Sequence, residues 1–174
     1  MARIDETGAY GVETNNEDGH KIHYHFSIYG FIYTESLYFT RDHETMCWEL
    51  PNIWKIGVRL QRACSSKNIS CHLSVKRIDT SSRKVRVSST VRLYNVQLQQ
   101  LDRVLSFPMM EVRSQQEVQR TSDPVLTPIE MSSLLGQELK VRVSLNVTHC
   151  HRIGQRYDPV TSLNARMEKI FFPK

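Results

Sequence analysis

The sequence predicts an all-β fold, an antiparallel β-sandwich carrying one short helix. Three observations lead there. Apolar and polar residues alternate with period two in several separate segments, as strands with one buried face require. Small polar residues of the kind that build turns fall between those segments. Only one internal stretch places apolar residues at helical spacing, so the alternation of strands with long helices that marks an α/β fold is missing.

Taken in chain order, residues 1–20 are polar, rich in Glu, Asn and Gly, and read as a flexible lead-in. From Lys21, Ile22, Tyr24, Phe26 and Ile28 alternate with Lys21, His23, His25 and Ser27 until Gly30 breaks the phase. A second strand sets Trp54, Ile56, Val58 and Leu60 inward and Lys55, Gly57 and Arg59 outward. A third alternates Ile69, Cys71, Leu73 and Val75 with Ser70, His72, Ser74 and Lys76, and Asp79–Ser82 supplies a hairpin turn to a fourth. In that fourth strand Val85 and Val87 share a face, Val91 and Leu93 resume the alternation, and a bulge or bend is expected at Ser88-Ser89-Thr90. Residues 114–123 read as an exposed loop. Pro128–Gly136 reads as a helix with Thr127 as its cap and Gly136 as its stop. Leu139, Val141, Val143, Leu145 and Val147 then alternate faultlessly with Lys140, Arg142, Ser144 and Asn146, and Asn164–Phe172 suggests a weak terminal helix. The organisation expected is a flexible segment over 1–20, a sandwich of about six strands over 21–150, and a C-terminal extension over 151–174.

Composition suits this. At 174 residues, 40% hydrophobic and 24% charged, the chain has the size and balance of one globular unit, with no apolar run long enough to cross a bilayer as a helix. The first twenty residues lack an apolar core behind a basic start, so an intracellular compartment is expected. The four cysteines are irregularly spaced and read as reduced thiols. The sequons at Asn68 and Asn146 then carry no glycan. A net charge of +5 permits acidic-protein or nucleic-acid partners, although the basic residues form no continuous run and concentrate only modestly between Lys76 and Arg92.

The chain contains no P-loop, dinucleotide fingerprint, nucleophile elbow or metalloprotease helix, and catalysis is not expected. His20, His23, His25, His43, Cys47, Cys71, His72, His149, Cys150 and His151 are ligand types that suit zinc. Yet no Cys-x2-Cys pair exists, and alternation sends His23 and His25 outward and Cys71 inward. Cys150 with His149 or His151 would make a nucleophile pair, but adjacent residues point to opposite faces if they lie on a strand, so no dyad is expected from them. No metal or other cofactor is therefore expected. Tyrosines interleaved with basic residues suggest nucleic-acid binding as an alternative function, but they form no shared stripe.

The order of elements resembles the MATH (TRAF-like) domain, an eight-stranded antiparallel sandwich of substrate-recruiting adaptors. Lys21–Phe31 and Leu50–Val58 are similar to its first strand and Trp strand, Leu73–Tyr94 to its hairpin, and Pro128–Val147 to its closing helix and strand. The family's Trp-Gly-Phe segment is replaced by Val104-Leu-Ser-Phe107. The resemblance implies a protein-interaction module that binds an extended peptide or partner domain, as in substrate recognition by a ubiquitin ligase. It places Tyr94 and Phe107 in the groove. Arg86, Lys140 and Arg142, outward by alternation, complete the expected binding set.

Overall fold

A computed structural model describes residues 3–16, 19–31, 35–97 and 101–151. Nine antiparallel strands and one helix follow in the order β1 (Arg3–Asn16), β2 (Gly19–Tyr29), β3 (Ser36–Glu44), β4 (Ile53–Arg62), β5 (Ile69–Arg77), β6 (Val85–Tyr94), β7 (Asp102–Val112), β8 (Glu117–Leu126), α1 (Pro128–Ser133) and β9 (Glu138–Thr148). They form a five-stranded sheet, β1-β2-β9-β6-β7, and a four-stranded sheet, β3-β4-β5-β8. The fold is thus the all-β antiparallel sandwich that alternation predicts. None of the described helices is long and apolar enough to cross a membrane.

The core forms where the alternating faces meet. Registers Ile22↔Leu145, Tyr24↔Val143, Phe26↔Val141 and Ile28↔Leu139 put β2 and β9 in line, and Val87, Val91 and Leu93 of β6 continue the layer. On the opposite sheet Trp54, Ile56, Val58 and Leu60 lie beside Arg77, Val75, Leu73 and Cys71. Phe26 and Phe39 stack across the gap, ring centroids 4.1 Å apart. Helix α1 is capped as expected, with the Thr127 side chain and Glu130 bonding each other's backbone N–H, and Gly136 follows at φ 71°.

Several expectations need correction. Residues 3–16 form β1, whose pairing with β2 relies on backbone hydrogen bonds and needs no apolar period of its own. Residues 117–123 of the expected loop over 114–123 belong to β8 (Glu117–Leu126), on the edge of the smaller sheet. The bulge lies not in β6, which pairs with β9 without a break, but in β7, where Val87↔Met110 is followed by Ser89↔Phe107. Pro108 sits at that step, on an edge strand that tolerates a missing donor. The proposed helix at 164–172 lies outside the described residues.

The segment Asp79–Ser82 is not a hairpin turn either, because β5 and β6 belong to different sheets. The chain crosses the sandwich here, and Arg77 fixes the crossing. This side chain is fully buried at the end of β5. Its Nε and Nη2 donate to Asp79 Oδ2 and Oδ1 at 2.6 and 2.9 Å, and its Nη1 donates to the Arg83 carbonyl at 2.5 Å. Asp79 also accepts the N–H groups of Ile53 and Ser81, tying the start of β4 to the same point.

Candidate functional site

Because β2, β9 and β6 are adjacent and in register, their outward residues form rows across the larger sheet. Lys21, Asn146 and Ser88 make one row, His23, Ser144 and Thr90 the next, and His25, Arg142 and Arg92 a third. Beside Val104 of β7 these rows enclose a cleft of about 530 Å³. Its lining includes Lys21, His23, Arg92, Arg142 and the hydroxyls of Ser88, Thr90 and Ser144, and none of the lining residues is a carboxylate. The surface is therefore cationic and rich in hydrogen-bond donors, which suits an anionic ligand group.

The rows are held by specific contacts. His23 Nδ1 lies 2.7 Å from Ser144 Oγ, and Arg142 Nη2 lies 3.3 Å from the same nitrogen. Arg92 is committed to Asp102 through two hydrogen bonds of 2.7 and 2.6 Å and sits over the Tyr94 ring. Arg142 is less fully committed, since its buried Nε has no hydrogen-bond partner among the described residues. His23 is only 9% exposed although it belongs to the outer face. Burial, followed by the charges of Arg142, Lys21 and His25, lowers its pKa from 6.5 to about 4. The folded protein thus holds His23 neutral where the unfolded chain would protonate it, and this part of the stability is lost as pH falls from about 6.5 to about 4. Urea melts at pH 7 and pH 4.5 check this: His23→Gln should lose less stability over that interval than the parent chain.

Of the residues expected to bind a partner, Arg86, Tyr94, Lys140 and Arg142 all belong to this outer face, and Arg142 lines the cleft. Tyr94 and Lys140 form the row beyond Arg92. Phe107 does not join them. Its ring turns inward and is 8% exposed, because Phe107 pairs with the inward-facing Ser89 of β6, two residues on from Leu105 opposite Val91. Lys21 and His23 were not singled out as binding residues, and only the register with β9 reveals them.

The chain matches no protein-family model and no curated protein.

The histidines and cysteines are placed differently from expectation. His23, His25 and Cys71 do diverge, but His20, Cys47, Cys150 and His151 converge, with one potential ligand atom from each lying within 4.8 Å of all the others. Cys150 and His151 follow the end of β9, past His149 at φ 61°, so the strand rule that separates neighbours does not govern them. His20 opens β2 and Cys47 lies in the β3–β4 loop. Glu13 backs the group: its Oε1 is 2.7 Å from His20 Nδ1, and its Oε2 is 2.8 Å from His43 Nε2. Burial opposes ionisation of Glu13, but the two imidazoles and the Met46 N–H outweigh it and lower its pKa to about 2.

Proposed function

We propose that the domain is a protein-interaction module that captures an acidic, extended segment of a partner protein on the outer face of its five-stranded sheet. The observation that carries this reading is the cleft lined by Lys21, His23, Arg92 and Arg142 with no carboxylate among its walls. An acidic side chain or a phosphate reaching into it would meet charge-assisted donors from two strands at once. Tyr94 and Lys140 in the next row extend the contact along the sheet. A MATH-like (TRAF-like) kinship fits the antiparallel sandwich, and with it a role as a substrate-recruiting or scaffolding adaptor.

Affinity capture with and without nuclease, using the parent chain and Lys21→Glu, tests the reading. Lys21 is exposed, so reversal of its charge leaves the melting temperature nearly unchanged. The expected result is a set of protein partners that survives nuclease and is depleted by Lys21→Glu. Material that disappears with nuclease, and binds with a salt slope of several phosphates, would replace this reading with nucleic-acid binding.

A further inference from the structure

We infer that His20, Cys47, Cys150 and His151 form a structural zinc site that clamps the two sheets together at one end of the sandwich. The donor set is two sulfurs and two imidazole nitrogens, the composition that tetrahedral zinc takes when no coordination position is left for water. The spacing fits. A tetrahedron with Zn–S of about 2.3 Å and Zn–N of about 2.05 Å has S···N edges of about 3.6 Å. His151 Nδ1 lies 3.9 Å from Cys47 Sγ and 3.7 Å from Cys150 Sγ, close to those edges.

Burial and surroundings point the same way. His20, Cys47 and Cys150 are 1%, 2% and 0% exposed. His20 Nδ1 is against Glu13, within ion-pair range but outside hydrogen-bond alignment, and neither ring nitrogen has a hydrogen-bond partner among the described residues. With Nδ1 facing the carboxylate, Nε2 is the nitrogen left for the sulfurs. A carboxylate behind a ligating imidazole is the arrangement that orients such ligands in zinc proteins. The Leu50 N–H donates to Cys47 Sγ at 3.4 Å, a backbone contact that supports a thiolate. Two thiolates and two neutral imidazoles would neutralise the ion, which makes its burial affordable in electrostatic terms.

The local backbone is built for close approach. A Cβ on Gly19 would sit 1.9 Å from the Val147 carbonyl oxygen, so only glycine lets β2 begin this near the end of β9 and bring His20 to Cys150. The ligands come from the first strand pair, from the loop joining two strands of the opposite sheet, and from the bend after β9. A bound ion would thus link both sheets.

Metal content by inductively coupled plasma and native mass spectrometry of the full chain, produced in zinc-supplemented medium, tests this. One zinc per chain is expected, surviving gel filtration. Cobalt(II) in its place should give the intense visible bands of a tetrahedral thiolate site. Cys64→Ser, at the exposed cysteine, should leave both unchanged, whereas His151→Ala should abolish the cobalt spectrum. Glu13→Gln, which keeps all four ligands, should weaken zinc affinity about 10- to 100-fold. A folded parent chain without zinc and without cobalt bands would overturn the proposal. So would a thiol titration under denaturing conditions that finds Cys47 and Cys150 joined as a disulfide. The metal and thiol measurements on the parent chain decide the matter even if a variant fails to fold.

Discussion

Asp79→Ala should destabilise the domain by about 3–5 kcal/mol, because it leaves the fully buried Arg77 charge without its bidentate partner. For a chain of this length that is a fall in melting temperature of about 6–20 °C, readable by calorimetry. The effect exceeds that of exposed pairs such as Lys84–Glu111, where both groups keep most of their hydration and the pair contributes about 0–1 kcal/mol. It also removes the acceptor for Ile53 and Ser81, so the crossing from β5 to β6 loses both its charge balance and its backbone anchor. A double-mutant cycle separates these contributions. In Arg77→Met/Asp79→Ala the stranded charge is gone, and the combined loss should be smaller than the sum of the single losses. Additive losses would show that Arg77 finds enough compensation in the Arg83 and Val112 carbonyls.

Trp54→Ala should cost about 3–5 kcal/mol as well, by leaving a large cavity against the inner face of the smaller sheet, near the start of β4. Trp54 is 0% exposed and lies between His43 of β3 and Arg77 of β5 in register, so the cavity opens beside the buried guanidinium. Its indole Nε1 has no hydrogen-bond partner among the described residues. Trp54→Phe removes that unpaired donor while keeping much of the volume, and should cost clearly less than Trp54→Ala. Urea titration at constant slope checks both variants. A Trp54→Ala loss below about 2 kcal/mol would mean that the core collapses around the gap.

What could be read from the sequence divides along a physical line. The strands expected from alternation, β2, β4, β5, β6 and β9, all have neighbours on both sides. Those that escaped recognition, β1, β3, β7 and β8, are the edges of the two sheets. Edge strands bury less and must discourage pairing with other chains, so they carry charge and proline that erase the alternation. In β7 Pro108 and the bulge do this, and β8 holds Glu117, Arg120 and Asp123. In β3 the polar His43 takes an inward position because Tyr24 and Glu13 receive its two ring nitrogens. The outward positions of Arg86, Lys140 and Arg142 were legible for the same reason as the interior strands, whereas Tyr94 came from the family resemblance. The cluster of His20, Cys47, Cys150 and His151 was not, since it depends on a strand start, a loop and a bend that only the topology brings together.

The position of β9 also sets an order of events during synthesis. Among the described strands β9 comes last in the chain, yet it lies in the middle of its sheet, with β2 on one side and β6 on the other. Gly19 waits for Thr148, and Tyr29 waits for Glu138. On the ribosome β2 can pair with β1, β4 with β3 and β5 with β4 as soon as they emerge, because each joins its predecessor in sequence. β2 and β6 belong to the same sheet but cannot be joined there until β9 arrives, and the edge that each turns toward β9 stays unpaired until residues 138–148 leave the tunnel. Such long-range closure makes assembly slow and gives the nascent chain its longest exposure to aggregation just before the final strand slots into the seam.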